Sequence, residues 1–244
     1  ASAQEGDLSM HEVAFLGLIN EARENPLAMA SSMGMNPVKI LQDFPELKDM
    51  LTQGLLPITF NKSLYQAASS HTEDMLSSGY YSHVSLDGKT YSDRIAATGY
   101  LAVETGESLG LLGFSNFIDP SESVRAVFEE MFQSELNPSS TEGRNILNPE
   151  FKQVGISLGT GTLNVGSDIF NVYMVTCDFA SSVEKEAMEL FQLVNQARTR
   201  PLEVIASLGM DPDQVLADIP ELQEILTDGL SPLTFNIQLY KAAA

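Results

Sequence analysis

The sequence is poor in cysteine and has no long apolar runs. Cys177 is the only cysteine among 244 residues, so no disulfide can form within the chain and no multi-cysteine metal site is available. It lies in the apolar run 172–177, which predicts a buried thiol rather than a nucleophile. Because no stretch of about 18 apolar residues occurs, no segment is predicted to span a membrane.

Basic residues are also scarce. Thirteen lysines and arginines stand against 33 acids, which gives a net charge of −20. A surface of this kind repels nucleic acid and anionic membranes, so these two classes of partner are excluded. It is typical of a solvated exterior or of a protein that attracts cations. The hydrophobic fraction of 43% is ordinary for a folded protein and predicts a sizeable core.

An internal repeat is present. Asn20-Glu21-Ala22-Arg23 returns 175 residues later as Asn195-Gln196-Ala197-Arg198, and the match continues without gaps to Leu239-Tyr240. About half of the paired positions are identical, so two related segments are expected. We expect a complete domain at 8–181 and, at 182–244, the N-terminal part of a second, truncated copy.

Caps and periodicity give a coarse structure. Ser9 and Glu12 form a capping-box pattern before a helix, and Asn61 begins another that ends at Gly79. Asp119-Pro120 opens a longer helix. The segments 154–158 and 169–179 are β-branched and aromatic, as strands are. The order predicts a largely antiparallel sheet with helices packed on it.

The segment 64–100 carries a family likeness. It contains His71-x-x-Asp74-Met75, then Gly79-Tyr80-Tyr81-Ser82-His83, then Asp93-Arg94, and the pattern continues at Thr105 to Ser108, Arg144 to Pro149 and Thr176 to Phe179. It resembles the bacterial CAP superfamily (cysteine-rich secretory, antigen 5 and pathogenesis-related proteins). This resemblance implies an α+β fold, a three-layer α-β-α sandwich with a mainly antiparallel central sheet, here followed by a helical partial second repeat.

The resemblance also implies a central groove. In many members it holds two histidines and two acids that can bind a divalent metal such as zinc. His83 matches the histidine of the Tyr-Phe-Ser-His motif, and Glu107 matches the acid of Gly-Glu-Asn. The second acid is expected late in the helix after Asp119. Glu135 continues the stripe of Phe128 and Met131, and Glu129 and Glu130 are the alternatives.

The second histidine of the family is missing. The register of Asn145-Ile146-Leu147 puts Glu142 in its place, and His71 is expected to be a hydrogen-bonded residue of the core or groove edge rather than a ligand. The candidate metal ligands are then His83, Glu107, Glu135 and Glu142. One imidazole with three carboxylates favours calcium or magnesium over zinc. Alternatively, the acids share protons and leave the groove without metal.

These features favour a secreted, periplasmic or cell-surface binding module. Because the chain starts at Ala1 rather than at a methionine, we expect a mature or engineered start whose targeting segment has been removed. The ligand expected in the groove is a small molecule, a lipid, a wall component or a protein.

Two further expectations concern catalysis and assembly. The alternative function is a metal-dependent or Ser-His-Glu hydrolase or protease that would use Ser82 or Ser108 with His83 and Glu107, but no catalytic residue is assigned. Apolar side chains on 182–244 lack a sheet to cover them, so we expect this segment either to dock on its own first domain or to pack against another chain. The second outcome, a dimer through this segment, is favoured.

Overall fold

A computed structural model describes residues 8–115, 118–141, 143–165 and 168–243 of the chain. The chain divides into two units, Ala1–Ser182 and Val183–Ala244, and each unit has its own internal packing. The first unit contains helices of its own and all strands of the described sheet. The second unit is helical in its described residues and is treated below by itself.

The first unit has seven α-helices in its described residues. The capping box of Ser9 and Glu12 begins the first of them, and the side chain of Asn61 caps the fifth, as the sequence predicts. A short 3₁₀ turn, Pro45–Leu47, precedes the fourth. The helices are α1 Met10–Glu24, α2 Pro26–Ser32, α3 Pro37–Asp43, α4 Lys48–Gln53, α5 Lys62–Ser78, α6 Tyr91–Ala97 and α7 Pro120–Glu135.

The sheet has the order β1-β3-β4-β2. Its strands are β1 Thr59–Phe60, β2 Ala102–Phe114, β3 Gln153–Val165 and β4 Asp168–Ser182. Among the described strands, only the short β1 pairs in parallel, with β3, whereas β4 pairs antiparallel with both β2 and β3. The mainly antiparallel sheet expected for the fold is therefore confirmed.

Strand β2 was not predicted from the sequence. It is rich in glycine, which weakens a strand pattern. The structure shows why two of these glycines are needed: a Cβ at Gly106 would lie 2.3 Å from Asn145 Oδ1, and one at Gly110 would lie 2.3 Å from Val127. Close packing of α7 and of the turn at 145 against β2 thus excludes the side chains that would have marked the strand.

Two helical layers cover the sheet, which confirms the three-layer sandwich. Alternate residues of β4 enter different cores, as strand geometry requires. Val175, Cys177 and Phe179 pack with α1–α4 and α7. Met174 and Ala180 face the other side, against α5 and α6. The even-numbered residues of β4 therefore point toward α5 and α6, and this assignment decides where the candidate site residues lie.

Candidate functional site

His83 lies on the loop that joins α5 to α6, residues 80–90. Helix α5 ends at Gly79, whose φ of +69° is the left-handed conformation that glycine adopts without strain. The buried ring of His71 then holds the loop, because its Nε2 donates to the carbonyl of Ser82 at 2.9 Å. Burial lowers the pKa of His71, so this ring is neutral at neutral pH.

Arg94 of α6 fixes the same loop from the other end. Its guanidinium donates to the carbonyl oxygens of His83 and Lys89 and to the hydroxyl of Ser85, at 3.1 to 3.2 Å. Its Nη2 also donates to Glu107 Oε2 at 2.5 Å. One buried cation thus ties the loop to strand β2.

Glu107 is the centre of the site. Its side chain is fully buried, and Oε1 accepts a hydrogen bond from His83 Nδ1 at 2.8 Å. His83 itself is 38% exposed. In the neutral ring this hydrogen bond keeps the proton on Nδ1 and makes Nε2 the acceptor nitrogen. The two Glu107 oxygens are thereby divided between an imidazole and a guanidinium.

Asp178 completes the arrangement and was missed by the sequence reasoning. It lies directly opposite Glu107 in the β2–β4 register and is fully buried. Neither of its oxygens receives a hydrogen bond from an N–H or O–H group of the described residues. Burial and, after it, the charge of Glu107 raise the pKa of Asp178 well above its usual range. Asp178 is therefore a neutral acid beside Glu107. His83, Arg94, Glu107 and Asp178 are called the Glu107 cluster below.

Glu135 lies elsewhere, and the expectation that it joins His83 and Glu107 needs correction. Helix α7 packs on the odd-numbered side of β4, whereas Glu107 points to the side of α5 and α6. The Glu135 carboxylate instead accepts the backbone N–H groups of residues 145–147 at 2.7 to 2.9 Å. Burial raises the pKa of Glu135 to about 7, and the three amides oppose that shift. Glu135 is an anchor for the turn after α7.

The other acids expected as possible ligands are Glu142, Glu129 and Glu130. Glu142 lies outside the described residues, so its expected place in the groove stays a prediction. Glu129 forms an ion pair with Arg125 at 3.5 Å, and Glu130 borders a cavity beside α7.

The described hydrogen bonds of Ser82 and Ser108 lead to Val84 and Asn145 rather than to the Glu107 cluster. Ser108 points to the opposite face of β2 from Glu107, and its hydroxyl accepts a hydrogen bond from the Asn145 side chain at 2.9 Å. The Ser82 hydroxyl accepts the backbone N–H of Val84 at 3.1 Å.

The described residues do not fit a divalent metal. They contain no group of three or more histidine, cysteine, aspartate or glutamate side chains that could hold one. The donor chemistry explains this result. Both oxygens of Glu107 are engaged, Asp178 is neutral, and the guanidinium of Arg94 repels a cation at the same place.

Two cavities flank the site. The first, called the α5–α6 cavity, has a volume of about 570 Å³ and lies between α5, the 80–90 loop and α6. The second has about 380 Å³ and lies between β2 and α7, with Ser108 and Glu135 on its wall. Residues that line the α5–α6 cavity include Ala67, Ser70, His71, Asp74, Ser85, Leu86, Asp87, Lys89, Arg94 and Ala97.

Comparison with known proteins places this arrangement in a family. The model of the cysteine-rich secretory protein family, CAP, matches residues 16–179. The chain belongs to the CAP family. The match includes the Glu107 cluster and both helical layers of the first unit.

Two solved structures are similar to this CAP chain. An extracellular protein with an SCP domain from Bacillus anthracis is 18% identical, with a TM-score of 0.35, over 59% of this chain and 40% of that one. An outer surface protein from Borrelia burgdorferi is 16% identical, with a TM-score of 0.32, over 60% of this chain and 91% of that one. The chain thus spans less than half of the Bacillus protein. The search among curated proteins gave no match.

None of the described helices combines the length and the apolar character needed to cross a bilayer.

Proposed function

We propose that the first unit is an extracellular binding module that holds a small, uncharged molecule with an apolar body in the α5–α6 cavity. One observation carries this proposal: Arg94 lines the cavity, and its Nε–H is buried without an acceptor among the described residues. A buried donor without a partner costs about 1–3 kcal/mol, and a ligand oxygen that reached this N–H from the cavity would recover that cost.

The size and charge of the cavity narrow the ligand class. A volume of about 570 Å³ suits a small organic molecule. Asp74 on the wall disfavours an anion, while Lys89 and Asp87 form an ion pair at 2.6 Å and balance each other's charge. Ala67, Leu86 and Ala97 supply apolar wall. A neutral molecule with one acceptor oxygen fits these groups best, which favours a small molecule over a protein or a charged wall component.

Secretion or display at the cell surface is part of this proposal. The matched family is described as secretory, and a module without disulfides must then rely on its core for stability outside the cell.

Catalysis is not proposed. The hydrolase alternative needs a hydroxyl whose proton is taken by a base, and the described contacts of Ser82 and Ser108 are with the N–H donors of Val84 and Asn145 instead.

A dye titration tests the site. Nile red is neutral and apolar and carries a carbonyl acceptor, so the full chain should bind it with a rise in fluorescence. Ser70 and Ser77 are both exposed on α5, but only Ser70 lines the cavity. We expect Ser70→Trp to weaken binding at least tenfold, about 1.4 kcal/mol, and Ser77→Trp to leave it unchanged. Equal affinities for the two variants would place the dye elsewhere and refute the proposal.

A further inference from the structure

The second unit repeats the local structure of the first. Its helices are α8 Lys185–Thr199, α9 Pro201–Ser207, α10 Pro212–Asp218, α11 Gln223–Asp228 and α12 Ile237–Ala243. The polar contacts are repeated as well. The Asn20 side chain exchanges two hydrogen bonds with the backbone of Ile58, at 2.8 and 3.1 Å, and Asn195 does the same with Leu233, at 2.7 and 3.0 Å. The two segments therefore share one local fold.

The apolar side chains of the two segments differ in burial. Phe15, Ile19 and Leu64 of the first unit are all 0% exposed. Their counterparts in the repeat, Leu190, Val194 and Leu239, are 63%, 39% and 71% exposed. We call the surface formed by Leu190, Val194, Leu233 and Leu239 the open face of the second unit. Leaving such side chains in water forfeits on the order of 1.5–3 kcal/mol each, so this face is built to be covered.

The first unit shows what covers the equivalent face. Helix α1 packs against α7, where Phe15 meets Phe128 edge-on with ring centroids 5.8 Å apart. Helix α5, which carries Leu64, packs on β3 and β4. The cover is therefore an aromatic helix followed by strands, not another set of helices like α1–α4.

Arg23 and its counterpart in the repeat, Arg198, indicate independently which part of a CAP domain covers the open face. Buried Arg23 donates to the carbonyl oxygens of Leu56, Ile146, Asn148 and Phe151, at 2.7 to 3.2 Å. Its counterpart Arg198 donates to Ser231, the equivalent of Leu56, at 3.1 and 3.2 Å. The carbonyl acceptors that Arg23 finds in the turn 146–151 have no counterpart among the bonds of Arg198 in the described residues.

We infer that the open face is a docking surface for the C-terminal half of a CAP domain: an amphipathic aromatic helix like α7, followed by a turn that presents carbonyl oxygens to Arg198. The inference does not depend on the α5–α6 cavity. Two open faces packed together would bury apolar area but would bring no such turn to Arg198. In another copy of the chain, the α7 half of the first unit already carries its own α1–α4. A second copy is therefore the less suitable occupant, and the dimer expected from the sequence is the competing outcome.

A labelled peptide of residues 118–151, which spans α7 and the turn, provides the probe. Fluorescence anisotropy with the full chain should show saturable binding. Leu190 and Gln192 both lie on α8. The counterpart of Leu190, Phe15, is buried, whereas the counterpart of Gln192, Gly17, is exposed, so Gln192 serves as the control position. We expect Leu190→Asp to weaken binding at least tenfold, Arg198→Ala to weaken it several-fold, and Gln192→Asp to change nothing.

Three results would overturn the inference. The first is the absence of binding at peptide concentrations of hundreds of micromolar. The second is equal affinity for Leu190→Asp and the original chain, which would place the peptide on the first unit. The third is a stable dimer, seen by light scattering, that Leu190→Asp abolishes and the peptide does not dissociate; this would make a second copy the occupant.

Discussion

Asp178 provides the sharpest test of the Glu107 cluster. Its carboxyl group is buried and neutral, and it lies opposite Glu107 in the β2–β4 register. Asp178→Asn keeps the shape of the side chain and, like the neutral acid, carries no charge. The substitution therefore removes only the ability to ionise.

The sign of the effect follows from proton binding. The raised pKa means that the native state retains a proton that the unfolded chain loses above the usual aspartate pKa of about 3.9. Since the native state binds more protons, this residue lowers the free energy of unfolding as pH rises from about 4 toward the folded pKa. The slope is about 1.4 kcal/mol per pH unit for one group, and it vanishes once Asp178 ionises. Asp178→Asn should remove this loss, so the variant should be the more stable protein at neutral pH.

Urea unfolding of both proteins between pH 3 and 8 measures the effect. The two stabilities should agree near pH 3 and then separate, with the variant above. Asp168→Asn, an exposed change on the same strand, is the control and should run parallel to the original chain. A separation with the opposite sign would show that Asp178 is ionised in the folded protein. A constant difference at all pH values would show that its ionisation does not contribute.

Two further predictions concern the same cluster. Zinc should bind no tighter than micromolar, about −8 kcal/mol, because Arg94 and His83 occupy Glu107; a nanomolar site in calorimetry that is lost with His83→Ala would contradict the geometry. Arg94→Ala should destabilise the first unit by about 3–5 kcal/mol in denaturant, because it leaves Glu107 buried without its cation; a loss below 1 kcal/mol would mean that the ion pair does not hold the loop.

The sequence predicted much of the helical structure, because caps are local. Ser9 with Glu12 and Asn61 act where their patterns indicated. Strand β2 was not predicted because Gly106 and Gly110 are required by close contacts with residues that are distant in sequence, and no local sequence pattern indicates such contacts.

The site was predicted in part. His83 and Glu107 belong to recognisable motifs, and the structure joins them. Arg94 and Asp178 lie in quoted motifs too, but their roles depend on a strand register and on a loop that turns back toward α6. Periodicity correctly placed Glu135 on an inward face of α7. It could not say which side of the sheet that face meets, and so it grouped Glu135 with the wrong partners.

The position of Arg94 has a consequence for how a ligand would be selected. The same side chain forms part of the cavity wall, carries the 80–90 loop and balances the charge of Glu107. Opening the 80–90 loop would move Arg94 away and leave the buried Glu107 carboxylate without its cation. The cavity wall is therefore preorganised. Binding would then require little ordering of the protein, so little affinity would be lost to that ordering. The site would discriminate between ligands by how well their shapes fit the existing wall.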